Sequence, residues 1–274
     1  MEGIEDMVDD LSDIQDMYNN ALETEHERLE RHQLEHDLTW CYFERYLPAS
    51  GSILEVGAAT GRYTLTLAQR GYRITAMDFS EKLLARCQQR LTEAGFHQNV
   101  TFLVGDARKL SAVLDQEFDV VLLMGPLYHL LVEDDRHLVL REAHRCLKSG
   151  GMLFSTWISR FGILGDVMKN IPEWIEDQYE VQYYLEHGRR PDTYPKVGFR
   201  GYFAKVSEIA PVHEHVGFKT CVLAAVEPAI SADDESYNAL EGTRRQAWLD
   251  LLFEVSAEPF CLGASRHLLY IGRK

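Results

Sequence analysis

Short apolar runs alternate with amphipathic segments through the middle of this chain, and this alternation limits its possible folds more than any other feature. The apolar runs that predict strands lie at 53–56, 73–77, 100–104, 118–124 and 152–157. The run VVLLM, which ends at Met124, is apolar at every position, as in a strand that helices cover on both faces. This order predicts a doubly wound α/β fold with a mainly parallel sheet.

The amphipathic segments between and after these runs predict helices, three of which end at glycines: Gly71, Gly95 and the pair Gly150-Gly151. Helices are expected over 63–70, 80–94, 133–148, 206–216 and 233–256, and further strands over 220–226 and 267–271. Two regions fall outside this alternation. Residues 1–47 predict an N-terminal helical cap that ends before Pro48, and residues 48–274 form the main domain.

Residues 158–205 are rich in aromatic residues, glycine and proline and show no strand alternation. We therefore predict an inserted lid of helices and loops over the top of the sheet. Its aromatic side chains either face a bound acceptor or form a core for the helices of the insert itself.

The charge of the chain excludes several functional classes. A formal net charge of -15 argues against a nucleic-acid binder and against docking on anionic lipid, since both need clustered Lys and Arg.

The five cysteines are widely spaced without a C-x-x-C pair, so we expect neither disulfides nor a metal site. No signal peptide and no apolar run of roughly 20 residues is visible, so we expect a cytoplasmic protein.

The stretch ILEVGAATGR, residues 53–62, runs from a strand into a loop with two glycines four residues apart. Gly57 permits a tight turn, and Gly61 lets the next helix approach the strand and a ligand closely. Backbone amides such as that of Ala58 could bind an anionic group there. Glu55 disfavours phosphate and suits a ligand that has an ammonium group, so a dinucleotide is the less favoured ligand.

Two later strand ends add acidic residues at the same edge of the sheet. Asp78 follows Gly57 by about 20 residues, the spacing at which a carboxylate accepts hydrogen bonds from ribose hydroxyls. Phe79 could lie against an adenine ring. Asp106, followed by Ala107, could accept a hydrogen bond from the adenine amine, although an Asx turn is the structural alternative. Together these residues predict a site for an adenosine with a charged tail.

These motifs resemble those of class I S-adenosylmethionine-dependent methyltransferases, over roughly residues 50–157 and again in the final strands. ILEVGAATG resembles the first motif, AMDFS the second, VGDA the third and FDVVLLMGPLYHL the fourth. The resemblance implies a seven-stranded sheet with an antiparallel last strand. The chain departs from the first motif at Ala59, which replaces the middle glycine of the family pattern.

The resemblance also implies S-adenosylmethionine as the cofactor and assigns residues to its parts. Glu55, Gly57 and Gly61 would lie at the methionine moiety, Asp78 at the ribose, and Asp106 and Ala107 at the adenine. Met124 and Gly125 would lie beneath the sulfonium.

Three aromatic residues and one arginine are candidates whose structural alternatives stay open. Tyr128 and His129 follow the fourth strand, where the methyl group is presented, and His129 is a candidate general base or a structural loop histidine. In related methyltransferases an N-terminal aromatic often closes over the cofactor. Tyr18 is the candidate for that role here, or a packing residue. Arg28 either reaches the cofactor site or lies on a solvated helix face.

The residues therefore predict an enzyme that transfers a methyl group to a small-molecule acceptor by direct displacement. A general base is needed only if the acceptor arrives protonated. The alternatives are methylation of a protein or tRNA through a partner subunit, and a cofactor-binding module without transfer chemistry. The expected partner is the acceptor alone, without nucleic acid or membrane, and a homodimer stays open.

Overall fold

The computed structural model describes residues 9–20, 31–194, 200–228 and 233–274, and its strands form one sheet. The strands are β1 (Ser52–Val56), β2 (Arg73–Asp78), β3 (Val100–Val104), β4 (Phe118–Leu123), β5 (Leu147–Ile158), β6 (Lys219–Ala225) and β7 (His267–Arg273). They are arranged in the order β3-β2-β1-β4-β5-β7-β6. β7 runs antiparallel to both of its neighbours, and the remaining pairs are parallel. The predicted doubly wound, seven-stranded sheet with an antiparallel last strand is confirmed.

Helices cover both faces of this sheet. They are α1 (Ser12–Asn20), α2 (Gln33–Tyr46), α3 (Arg62–Gln69), α4 (Glu81–Glu93), α5 (Glu133–Cys146), α6 (Leu164–Asn170), α7 (Gln178–His187), α8 (Val206–Val216), α9 (Asp234–Asn238), α10 (Gly242–Val255) and α11 (Pro259–Ala264). Short 3₁₀ helices lie at His97–Asn99, Pro126–His129 and Pro172–Glu176. Within the described ranges, every helix is too short or too polar to cross a lipid bilayer.

The alternation of side chains along each strand builds one hydrophobic core on each face of the sheet. Leu54 of β1 packs in the cluster that contains Leu140 of α5. Its neighbour Ile53 points to the other face, into the cluster that contains Phe43 of α2. Burying each such side chain stabilises the fold by roughly 1.5–3 kcal/mol. The two cores fix the strand ends, and the carboxyl ends of β1, β2 and β4 meet at one edge of the sheet.

The structure corrects the predicted helix over residues 133–148. The helix ends at Cys146, because Leu147 is extended and pairs with Phe118 of β4. Gly150 has a φ of +77°, and its N–H donates to the Lys274 carbonyl at 3.0 Å. The glycines therefore lie inside β5, in an irregular part of the strand, and do not form a turn between the helix and the strand.

The predicted helix over residues 233–256 is also wrong in its extent. It is interrupted between α9 and α10, where Gly242 has the left-handed φ of +52°. The short helix α11 was not predicted. It begins at Pro259, whose fixed φ suits the first turn of a helix.

The predicted insert contains α6, the 3₁₀ helix Pro172–Glu176 and α7, and an isolated bridge between Ser159 and Ala204 joins its two ends. Tyr184 is buried and donates from its hydroxyl to the Arg160 carbonyl at 2.7 Å. Its ring also packs edge-on against Trp174. These contacts favour the alternative in which aromatic residues of the insert form a core for its own helices.

Candidate active site

The loop between β1 and α3 turns back onto the end of β2. The backbone N–H groups of Gly57 and Ala58 both donate to the Met77 carbonyl, at 2.9 and 3.0 Å. Ala59 adopts a positive φ of 47°, which is uncommon for a residue with a side chain, and its N–H donates to Asp78 at 2.8 Å. The hydrogen bond to Asp78 helps to hold alanine in the conformation that a glycine would adopt more easily.

The two glycines of this loop are required by contacts within the protein. A Cβ atom at Gly57 would lie 2.9 Å from the Met124 carbonyl oxygen, and one at Gly61 would lie 2.5 Å from the Cys87 sulfur. Gly61 therefore allows the close approach of α4, which contains Cys87. The assignment of Gly61 to the methionine moiety stays a prediction. Gly61 lies outside the lining of the cavity described below.

Glu55 lies in β1 with only 1% of its surface exposed. Its carboxyl accepts a hydrogen bond from the Thr64 hydroxyl at 2.7 Å. Burial, together with the nearby negative charge of Asp78, raises the pKa of Glu55 to about 8. Glu55 therefore holds a proton at neutral pH in this structure, and a cation placed beside it would favour its ionised form.

Asp78 uses both carboxylate oxygens to organise the backbone around it. One oxygen accepts from the Ala59 N–H and the other from the Ser80 N–H, each at 2.8 Å. Ser80 then caps α4 by accepting from the Leu83 N–H. Asp78 therefore holds together the loop after β1 and the start of α4 at the carboxyl edge of the sheet.

Asp106 forms the Asx turn that was the structural alternative in the sequence. It accepts from the Arg108 N–H at 2.9 Å, and the Arg108 guanidinium also binds both of its oxygens. The Arg108 guanidinium also donates hydrogen bonds to the Asp135 carboxylate, at 2.7 Å, and to the Asp9 carbonyl. Arg108 was missed in the sequence, although the Asp-Ala-Arg spacing is the i to i+2 pattern of such a turn.

Tyr18 and His129 come together across the cavity. The Tyr18 hydroxyl lies 2.8 Å from His129 Nε2, with the two rings close to perpendicular. His129 Nδ1 lies 3.2 Å from the Arg200 carbonyl, which can only accept, so Nδ1 is the protonated nitrogen. In the neutral ring Nε2 then accepts the Tyr18 hydroxyl. The neighbouring Tyr128 places its hydroxyl close to the backbone of Gly125.

One cavity at the carboxyl edge of the sheet collects nearly all of the predicted site residues. Those that line it are Tyr18, Glu55, Gly57, Ala58, Asp78, Phe79, Asp106, Ala107, Met124, Gly125, Tyr128 and His129. The remaining members of the wall were not among the predicted site residues: Leu11, Ile14, Val56, Ala59, Arg62, Tyr63, Leu83, Gly105, Pro126 and Leu130. Leu11, Ile14 and Tyr18 are spaced by three and four, a helical pattern that could have identified them.

Two expectations about other parts of the chain have a different outcome. None of the described residues of the insert lines this cavity, so the aromatic side chains among those described residues are placed elsewhere. Arg28 lies outside the residues that the structure describes.

A second group of charged side chains lies near the start of β7. His32, Glu227 and Asp234 have their ligand-type atoms within 4.8 Å of one another. The Arg266 guanidinium binds both Glu227 and Asp234, and so already supplies a positive charge to the group. Burial alone would raise the pKa of Glu227, but His267 and Arg266 beside it hold that pKa below its usual range.

Comparison with known proteins identifies the domain around the cavity. A family model described as a methyltransferase domain matches residues 53–151, which include β1 to β4 and the loops that line the cavity. Residues 53–151 form a methyltransferase domain. The predictions of the family, of an enzymatic domain and of S-adenosylmethionine as its cofactor are confirmed at this level.

Curated relatives that match this domain include O-methyltransferases. A ubiquinone biosynthesis O-methyltransferase of Pseudomonas fluorescens is 32% identical over 142 residues, which are 49% of this chain and 59% of the relative. The chain spans about half the length of the curated relatives it matches, from 48% to 59% in the first two.

Solved structures share the fold at low sequence identity. An S-adenosylmethionine-dependent methyltransferase from Methanosarcina mazei is 18% identical with a TM-score of 0.59, over 85% of this chain and 96% of the other. The 1,6-didemethyltoxoflavin-N1-methyltransferase of Burkholderia thailandensis is 14% identical with a TM-score of 0.58, over 96% of this chain and 88% of the other. Its structure contains its acceptor and S-adenosylhomocysteine.

Proposed function

We propose that this protein transfers a methyl group from S-adenosylmethionine to a hydroxyl group of a neutral or cationic small molecule. The observation on which this depends is the cavity itself: two buried carboxyl groups, Glu55 and Asp78, lie on the lining that also contains the Tyr18–His129 pair. The first two suit a cofactor with an ammonium group and a ribose. The pair suits removal of a proton from an acceptor.

The chemistry of the lining fits the cofactor. Asp78 is a carboxylate that lines the cavity at the sequence spacing of a ribose-binding acid, and Glu55 is a buried partner for the ammonium of the methionine tail. Phe79 and Ala107 provide an apolar surface for adenine. When bound, S-adenosylmethionine supplies a methyl group that is activated for direct displacement, so alignment supplies most of the catalysis.

The residues of this chain then have to receive the proton of the acceptor. His129 Nε2 is the basic position of the ring, because Nδ1 donates to the Arg200 carbonyl. The Tyr18 hydroxyl donates to Nε2, so Tyr18 can accept a proton from the acceptor while it passes its own to His129. A hydroxyl acceptor agrees with the name of the O-methyltransferase relatives. The net charge of -15 disfavours an anionic acceptor.

Two experiments test the proposal. Titration calorimetry should show binding of S-adenosylmethionine and of its demethylated product but not of NAD. Incubation of the protein with tritiated-methyl cofactor and a metabolite extract should label a small molecule. Label in the protein or tRNA fraction would support the alternative acceptors, and binding without any transfer would support a cofactor-binding module.

The role of Asp78 can be tested through the ligand. Asp78→Asn should weaken the binding of S-adenosylmethionine by roughly tenfold or more, since hydrogen bonds to charged groups are worth about 1.5–3 kcal/mol. Removal of the ribose 2′-hydroxyl should weaken binding to the wild type but add little in the variant, because the same contact is already lost. Equal losses from the 2′-deoxy ligand in both proteins would remove Asp78 from the ribose site.

A further inference from the structure

Arg200 links two parts of the cavity that are distant in sequence. Its guanidinium pairs with Asp9 and, at 3.1 Å, with Asp13, and also donates to the Asp10 carbonyl. Asp13 lies in the first turn of α1, the helix whose Ile14 and Tyr18 form one wall of the cavity. The Arg200 side chain is only 10% exposed, so water weakens these ion pairs less than it weakens surface pairs.

The backbone of the same residue contacts the candidate base. The Arg200 carbonyl accepts from His129 Nδ1, and the Tyr202 N–H donates to the Tyr128 carbonyl at 2.7 Å. The segment that begins at Arg200 is therefore attached to the 3₁₀ helix that contains both Tyr128 and His129.

These contacts form a closed ring of interactions that begins and ends at Arg200. It runs from the Arg200 guanidinium to Asp13, along α1 to Tyr18, across to His129 and back to the Arg200 carbonyl. An outward movement of α1 breaks the ion pairs of Arg200 and the Tyr18–His129 hydrogen bond together. A movement of the Arg200 segment removes the acceptor that keeps the proton of His129 on Nδ1.

We propose that Arg200 is a positioning residue that couples closure of α1 over the cavity to the orientation and tautomer of His129. The catalytic consequence of this coupling rests on the function proposed above, in which His129 acts as a base. Its structural content, a coupling between α1 and His129, is independent of any ligand. When α1 is closed, His129 presents Nε2 as a base; when α1 opens, that arrangement is lost.

The test uses the ligand-free full-length protein and the variants Arg200→Ala, Arg200→Lys and Arg189→Ala. Arg189 is a matched control, because it lies in the same insert and pairs with the exposed Asp192. Hydrogen exchange reports opening of residues 12–20, and ¹⁵N spectra of the histidine ring report the tautomer of His129. Arg200→Ala should give roughly tenfold faster exchange, the effect of losing a charge-assisted contact, together with loss of the Nδ1–H tautomer.

The outcomes separate this proposal from the proposed function. Partial rescue by Arg200→Lys and wild-type behaviour of Arg189→Ala support the coupling. Unchanged exchange in Arg200→Ala, or faster exchange with an unchanged His129 tautomer, overturns it. Failure of the wild-type protein to bind S-adenosylmethionine would overturn the proposed function, whereas the two spectroscopic results would still decide the coupling.

Discussion

The Tyr18 hydroxyl and the Nε2 atom of His129 lie 2.8 Å apart, although 111 residues separate them in the chain. The contact joins a helix that covers the cavity to the 3₁₀ helix that follows β4. It places the Nε2 atom of the histidine in direct contact with the phenol, as the proton transfer proposed above requires.

Tyr18→Phe removes the hydroxyl and retains the ring. We expect methyl transfer to a hydroxyl acceptor to fall by roughly 10²-fold, the usual size of a lost acid–base contribution, with nearly unchanged affinity for S-adenosylmethionine. The pH profile of the rate should also change. Tyr179→Phe, on the exposed surface of α7, is the control. A loss of affinity for S-adenosylmethionine without a loss in the rate of methyl transfer would show that Tyr18 only lines the cavity.

Glu55→Gln should change how stability depends on pH. Burial raises the pKa of Glu55 from 4.5 to about 8, so the folded protein holds a proton that the unfolded chain releases above pH 4.5. This contribution to stability is present below pH 4.5 and is lost as the pH rises through about 8. Urea unfolding should therefore show that the variant gains relative to the wild type between pH 5 and 9, by up to about 4 kcal/mol.

The exposed Glu93 on α4 provides the control for that measurement, since Glu93→Gln should leave the pH dependence unchanged. Parallel pH curves for Glu55→Gln and the wild type would contradict the prediction.

Gly57→Ala should destabilise the protein more than Gly71→Ala. Both glycines have similar positive φ values, 85° and 88°, so the cost of the backbone conformation is nearly the same. A Cβ at Gly57 meets the Met124 carbonyl, whereas one at Gly71 meets nothing within 4 Å. The difference in the free energy of unfolding should be about 1–3 kcal/mol, measured by urea denaturation. Equal losses of unfolding free energy in the two variants would mean that the loop moves to accommodate a Cβ at Gly57 without an energetic cost.

Thr60→Val and Thr64→Val should have opposite effects on stability. Both residues are fully buried, but the Thr60 hydroxyl has no hydrogen-bond partner in the part of the chain that the structure describes, whereas Thr64 donates to Glu55. Valine has nearly the same shape as threonine. We expect a gain of about 1 kcal/mol at Thr60 and a loss of about 1–3 kcal/mol at Thr64 in thermal unfolding. Losses at both positions would contradict this assignment.

The sheet and the position of the cavity were predictable because the relevant information is local. A continuous apolar run such as Val120–Leu123 fits a strand that is buried on both faces, and a loop after such a strand lies at the binding edge. Helix ends were less predictable. The end of α5 at Cys146 depends on the pairing of Leu147 with a strand from another part of the chain.

The contacts inside the site could not be predicted for a similar reason. Asp78 was identified from its spacing after Gly57 and Tyr18 from the family resemblance, but the partners Ala59 and His129 are set by how the chain folds back. The link from Arg200 to Asp13 spans 187 residues and has no counterpart in any local pattern. Whether Asp106 serves the adenine as well as its Asx turn stays a prediction.

The position of α1 also has a consequence for how long ligands stay bound. Its Gln15 side chain donates to the Phe79 carbonyl, and Asn19 accepts from Ser80, so the helix is attached at two points to the connection between β2 and α4. If the cofactor binds beneath α1, as the proposed function requires, its release requires these contacts to open. We therefore expect turnover to be limited by departure of the demethylated product, which would then be a strong inhibitor of the enzyme that makes it.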